Sequence, residues 1–126
     1  MPYEYFKSNI SKRSYQFALK LIQFIGSFNN KSYTNQIIFN QLIRCGTSIG
    51  ANISEAQGSS SKREFKNFLN HSLKSANESV FWLYLLKDSQ IADHLKVEGL
   101  LVEAKEIANI LASSLITLKE KRNLKY

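Results

Sequence analysis

Two sets of polar residues have the type and spacing to do chemistry. The first set recurs every three or four residues, and its members are Arg44, Ser48, Asn52 and Glu55. On a helix, this spacing brings the side chains within an arc of about 80°. The arc borders an apolar stripe, so we expect it at a contact between helices, where buried polar groups need partners. It forms either a hydrogen-bonded network that fixes the register of two helices or a polar binding surface.

The helix that follows the turn near Gly58 offers specific partners to these four polar residues. If the hairpin turns near Gly58, Glu55 lies opposite Lys62. Glu78 then lies about a turn and a half beyond the point opposite Arg44, within reach of two long side chains. Two glutamates could also act as paired carboxylates, but the nearby cations favour ordinary ion pairs.

The second set is basic and lies in two segments. Its members are Lys12, Arg13, Lys20, Lys62, Arg63 and Lys66. Lys62 and Arg63 open a predicted helix, where cations oppose the helix dipole and cost some tenths of a kcal/mol. In an antiparallel bundle the two groups would share one end and would suit phosphate. The alternatives are a solvated basic face, or a basic face that meets an acidic face of another copy.

Catalytic motifs find little support in the sequence. His71 and His94 are isolated, no Glu-x-x-His pair occurs, and the single cysteine excludes a zinc cluster of cysteines. Neither a phosphate-cradling glycine loop nor a nucleophile elbow is present. We therefore expect a protein that is not an enzyme and that uses no metal or cofactor.

Four amphipathic segments must position these residues. Helices are predicted over 8–28, 34–56, 62–87 and 93–122, with Ser61 and Glu64 as a capping box at the start of the third. Short links between four such segments predict an all-α fold, an antiparallel up-and-down four-helix bundle forming a single domain over 1–126.

Apolar stripes predict which face of each helix is buried. The first segment should bury Tyr15, Ala18, Leu19, Ile22 and Ile25, and the second should bury Ile38, Leu42, Cys45, Ile49, Ile53 and Ala56. Gly46 and Gly50 cost about 1 kcal/mol each relative to alanine, and such glycines often mark the close approach of a neighbouring backbone. Near the end of the third segment, Phe81 and Leu85 point away from the core, and Tyr84 lies between the two sides. They predict a self-association interface, the alternative being a surface with a few exposed aromatics.

Composition bounds the class of protein and its partners. The net charge is +7, and residues 88–118 are acidic whereas the segments on either side are basic. This asymmetry favours an anionic partner or contact between copies. No apolar run reaches the roughly 18 residues of a membrane span, the start MPYEYFKSNISKR lacks the apolar core of a signal peptide, and one cysteine allows no intramolecular disulfide. We expect a soluble, cytoplasmic protein.

The stretch from Gln41 to Lys87 resembles the bacterial 23S rRNA intervening-sequence protein family. The resemblance rests on the residues Arg44, Ser48–Ile49, Asn52–Ile53–Ser54–Glu55–Ala56, Ser61–Lys62–Arg63, Glu64–Phe65, Phe68–Leu69, Ser75 and Glu78. Two positions depart from the family pattern, because its glycine is Ala56 here and an arginine usual in the turn is replaced within Ser59–Ser60.

The resemblance implies an assembly and a partner that the residues alone do not specify. It implies a four-helix bundle that assembles as a homopentameric ring, with Ser75 in the polar network, and an association with nucleic acid. Similar bundles accompany reverse transcriptases of retroelements. The leading hypothesis is a non-enzymatic, oligomeric, RNA-binding accessory protein. The alternative is a structural scaffold for a protein partner such as a reverse transcriptase.

Overall fold

Four helices contain nearly all the residues that the structure describes. This computed structural model describes residues 8–29 and 32–124, with side chains up to 119. The helices are α1 (Asn9–Gly26), α2 (Tyr33–Gln57), α3 (Lys62–Asp88) and α4 (His94–Leu124). None of the described residues lies in a β-strand, so the all-α, four-helix prediction is confirmed, and each bound lies within two residues of its predicted position. Residues 1–7, which enter the signal-peptide prediction, lie outside the described part.

Neighbouring helices run in opposite directions. On α3, Ser72 donates to the carbonyl of Ile49 at 2.8 Å, and the later Ser79 donates to the sulfur of the earlier Cys45 at 3.3 Å. Among the described residues, α2 and α4 each pack against both α1 and α3, whereas α1 and α3 make no contact with each other. The two basic segments of the sequence therefore lie on helices at diagonal corners of the bundle.

The predicted core stripe of α2 is confirmed. Its buried residues include Ile38, Leu42, Cys45, Ile49, Ile53 and Ala56. Burial raises the pKa of the Cys45 thiol, which keeps it a protonated, small hydrophobe in the core.

The predicted core face of α1 is wrong for three of its five residues. The side chains of Tyr15, Leu19 and Ile22 are 38%, 44% and 49% exposed, whereas Phe17 and Leu21 are almost fully buried. Helix α1 is apolar on two sides, so the spacing of its apolar residues alone does not decide which side faces the core.

Small residues at the contact with α2 set the rotation of α1. Ser14 is buried against Gly50, where an added Cβ would lie 3.2 Å from the Ser14 hydroxyl and 3.6 Å from its carbonyl carbon. At Gly46 an added Cβ would overlap the side chain of Leu21. The close approach of a neighbouring backbone is confirmed at Gly50, whereas the neighbour at Gly46 is a side chain. Together these contacts turn the Phe17 and Leu21 side of α1 inward.

Candidate nucleic-acid interface

The start of α3 is built by serine capping. The Ser61 hydroxyl accepts a hydrogen bond from the Glu64 amide at 3.1 Å. The Glu64 carboxylate accepts from the Ser60 amide at 3.4 Å and from the Ser60 hydroxyl at 3.0 Å, rather than reaching back to Ser61. The one carboxylate in the first turn of α3 is therefore already hydrogen-bonded to Ser60.

The cations at this helix start have no partner among the described residues. Lys62 and Arg63 are exposed and Lys66 is half-buried. The expected pair between Glu55 and Lys62 does not form. Both side chains are exposed, and an exposed ion pair gains too little free energy to offset the entropy of ordering two long side chains.

Arg13 is held by the acidic helix of its own chain. Its guanidinium donates to both carboxylate oxygens of Glu103, at 2.8 and 2.9 Å, and also to Glu106. The hydrogen bond with Glu103, followed by that with Glu106, raises the pKa of Arg13. Because two carboxylates already neutralise it, Arg13 is less available to phosphate than the cations of α3 are.

The other two basic residues of α1 lie at different heights. The Gln57 amide donates to the Ser8 hydroxyl at 3.3 Å, so the start of α1 lies beside the end of α2, at the same end of the bundle as the α2–α3 turn. Lys12 is half-buried near this end, and Lys20 is exposed about 12 Å farther along the helix. Lys12 thus lies near the end of the bundle that carries the start of α3, whereas Lys20 does not. The two predicted basic groups lie on helices that, within the described residues, do not contact each other, and they share no face.

One residue of the polar set of α2, Arg44, forms a contact with α3. Arg44 donates to the Glu78 carboxylate and to the Gln41 side chain at 3.0 Å, and the Trp82 indole donates to the same carboxylate at 3.1 Å. The contact between Arg44 and Glu78 that the register predicted is therefore present. Its role in fixing the register stays a prediction.

The remaining members of that set do not cross to α3. The Asn52 amide donates to the Ser48 carbonyl at 2.9 Å and to the Ser48 hydroxyl at 3.3 Å, both within α2. The side chains of Glu55 and Ser75 make no hydrogen bond with another described residue. Besides the Arg44–Glu78 contact, the buried Ser72 and Ser79 donate hydrogen bonds from α3 to α2, and sequence reasoning missed these two bonds. A serine inside an apolar stripe was the available signal, because its buried hydroxyl needs a partner.

Two exposed apolar surfaces lie at diagonal corners of the bundle. On α3, Phe81 is 58% exposed, and Tyr84 and Leu85 are close to 40% exposed. Lys105 of α4 donates to the Tyr84 hydroxyl at 2.9 Å and lies over its ring. The second surface is the outward face of α1 that carries Leu19. We name these the α3 patch (Phe81, Tyr84 and Leu85) and the α1 face (Tyr15, Leu19 and Ile22).

An apolar cleft of about 770 Å³ opens between the four helices near the α2–α3 turn. Its lining includes Ile53, Phe65, Leu69, Ile110 and Leu118, and among the described residues it contains no Asp, Glu, His, Lys, Arg, Cys or Tyr. None of these described lining residues is suited to general acid or base catalysis. Within the described residues there is also no group of three or more metal-ligating side chains, and no described helix is long and apolar enough to span a membrane.

The comparisons with known proteins identify the family. The model of a family described as 23S rRNA-intervening sequence protein matches residues 7–113. The chain belongs to this family. The match includes every candidate residue named above for the interface, and it confirms the resemblance predicted from the motif in α2 and α3.

A solved protein of the S23 ribosomal protein family has a similar fold. The chain is similar to a crystal structure of a protein of unknown function from the S23 ribosomal protein family of Bacteroides thetaiotaomicron, with 32% identity and a TM-score of 0.77. The likeness covers 84% of this chain and 97% of that chain. No curated protein matches the sequence.

Proposed function

We propose that this protein is a non-enzymatic, oligomeric accessory protein that binds RNA. The observation that carries the proposal is the group of unpaired cations at the start of α3, formed by Lys62, Arg63 and Lys66. Elsewhere in the described chain Arg13, Arg44 and Lys87 are held in ion pairs, so this cluster is a concentration of uncompensated positive charge.

Charge and family both support an RNA partner. Cations that contact phosphates release condensed counterions, which drives binding without sequence preference. The net charge of +7 favours approach to a polyanion. The family description names 23S rRNA, the RNA class whose intervening sequences give this family its name. The apolar character of the described cleft lining supports a binding role over catalysis.

Salt-dependent binding to a structured RNA tests the proposal. Each phosphate contact contributes about 0.7 to 0.9 to the slope of log affinity against log salt. The double variant Arg63→Ala/Lys66→Ala should therefore lower the slope by about 1.5 and weaken binding at every salt concentration. The control Lys96→Ala/Lys119→Ala removes the same charge from exposed sites on α4. Absence of binding at low salt, or an equal effect of both variants, would contradict the proposal.

Arg13 provides an independent check on which cations contact RNA. The variant Glu103→Gln/Glu106→Gln removes both carboxylates that hold Arg13. If Arg13 is able to reach phosphate, this variant should bind RNA more tightly and with a steeper salt slope. If the start of α3 is the principal contact, the Arg63→Ala/Lys66→Ala substitutions should weaken binding equally in both backgrounds.

Self-association belongs to the same proposal. The α3 patch would be buried between copies, and the expected assembly is a homopentameric ring. Repeated basic clusters around such a ring would raise avidity for a long RNA without any new kind of contact. Light scattering at micromolar concentration should give a mass of several chains, and Phe81→Asp should reduce it to one chain. A monomeric wild-type protein would contradict the interface role of the patch.

A scaffold for a protein partner is the second candidate function. Its support is the α1 face, where three large apolar side chains remain exposed although α3 carries a separate patch. Such surfaces mark partner sites, and a reverse transcriptase is the partner that the resemblance suggests. A complex that survives nuclease treatment and is lost in Leu19→Asp would favour this function over direct RNA binding.

A further inference from the structure

The outward face of α3 continues the basic cluster for two further turns. Its side chains fall within an arc of about 100° at 100° per residue, and its members are Arg63, Lys66, Asn67, Asn70 and Lys74. We call this group the α3 stripe. Two of its cations belong to the cluster already described, whereas Lys74 and the two asparagines extend it towards the middle of the helix.

The stripe side chains added here are available to a partner. Asn67 and Lys74 are exposed and Asn70 is half-buried, and none of the three forms a hydrogen bond or ion pair with another described residue. The nearest carboxylates on α3 are already engaged, because Glu64 accepts from Ser60 and Glu78 accepts from Arg44. The stripe thus combines three cations and two amides that have no partner among the described residues, and the two neighbouring carboxylates on α3 are engaged.

The shape of this surface bears on whether single-stranded or duplex RNA would bind to it. From Arg63 to Lys74 the stripe is about 16 Å long. Helices α2 and α4 flank α3 on both sides, at the roughly 8–10 Å separation of packed helices. The surface is therefore broad, and α3 does not project as a single helix that could enter a groove. The major groove of duplex RNA is deep and narrow, so its bases are out of reach of such a surface.

We infer that the α3 stripe binds single-stranded RNA, with its three cations on phosphates of one strand and its two amides on exposed base edges. This inference rests on the proposed RNA-binding function and adds the strand class and three contact residues to it. Base edges of unpaired nucleotides present both donors and acceptors, and an asparagine amide supplies one of each.

Cations and amides have separable effects on binding. Replacing Lys74 removes one phosphate contact, so Lys74→Ala should lower the salt slope by about 0.7. Replacing the neutral amides should leave the slope unchanged. Loss of one or two hydrogen bonds should still weaken binding of single strands, by about tenfold in Asn67→Ala/Asn70→Ala. If these exposed side chains had only a structural role, the lysine variant would not lower the salt slope while the asparagine variant left it unchanged.

Fluorescence anisotropy with one RNA in two forms tests the inference. The probe is a labelled single strand of about 12 nucleotides and the duplex that it forms with its complement, each titrated at several salt concentrations. The matched controls are Lys96→Ala for the cation and Asn40→Ala/Asn109→Ala for the amides, all at exposed positions away from the stripe. Circular dichroism of each variant verifies that the helices are intact.

The outcomes separate this inference from the proposed function. Tighter binding of the single strand than of the duplex, with stripe variants weaker than their controls, supports the inference. If Arg63→Ala/Lys66→Ala weakens binding but the Lys74 and asparagine variants match their controls, the stripe is wrong while the RNA-binding proposal stands. Equal binding of duplex and single strand overturns the strand class. No binding of either form overturns both.

Discussion

Two leucines on α1, two positions apart, should differ sharply in their contribution to stability. Leu21 is fully buried against the glycine surface of α2, whereas Leu19 is 44% exposed on the opposite side of the helix. Leu21→Ala would leave a cavity in the core and should reduce the free energy of unfolding by about 3 kcal/mol. Leu19→Ala removes partly hydrated atoms and should cost less than about 1 kcal/mol.

Thermal unfolding followed by circular dichroism measures the difference. For a chain of this length, 1 kcal/mol corresponds to about 3–5 °C in Tm, so Leu21→Ala should lower Tm by roughly 10–15 °C. Leu19→Ala should change it by a few degrees. Because self-association makes Tm depend on protein concentration, both variants need to be measured over a range of concentrations.

The comparison has a clear refuting result. If Leu19→Ala destabilises the protein as much as Leu21→Ala at every concentration, α1 is rotated relative to the structure and the α1 face is core. If the cost of Leu19→Ala increases only at concentrations where copies associate, the α1 face is an interface and the description of the core stands.

Four further substitutions test local features by thermal unfolding. Gly46→Val forces side-chain atoms into the contact with α1 and should cost about 1–3 kcal/mol, whereas Gly99→Ala, where a Cβ meets nothing within 4 Å, should stabilise the exposed helix by up to about 1 kcal/mol. Ser61→Ala removes the cap of α3 and should cost about 1 kcal/mol. The hydrogen bond from Lys87 lowers the pKa of Glu98 from its ordinary 4.5, so this contact stabilises the fold above that pH and is lost as the pH falls through the lowered pKa. Glu98→Gln should therefore reduce the loss of Tm on acidification below pH 4.5, and an unchanged pH profile would show that the contact does not contribute.

The sequence predicted the structure correctly where a helix had a single apolar face or a clear capping residue. The stripe of α2 carries a single apolar face, and all six of its predicted residues are buried. The serine at the start of α3 caps the amide that the capping box required. In both places local physics and tertiary packing favour the same structure.

The rotation of α1 was beyond the same reasoning. Tyr15, Leu19 and Ile22 have the spacing of a core face, and so do Phe17, Leu21 and Phe24. What decides between them is a contact with glycines on another helix, which depends on how the two helices meet. The partner of Arg13 was equally inaccessible, because Glu103 and Glu106 lie about ninety residues away in sequence and any acidic side chain on α4 was an equal candidate.

The identity of the cations that touch RNA is the central claim, and cross-linking measures it directly. A single-stranded RNA that carries photoreactive uridines would be irradiated in complex with the protein, and the linked peptides would be identified by mass spectrometry. We predict cross-links concentrated between residues 62 and 74 of α3. Cross-links confined to α4, or to the side of α1 that carries Arg13, would contradict the account.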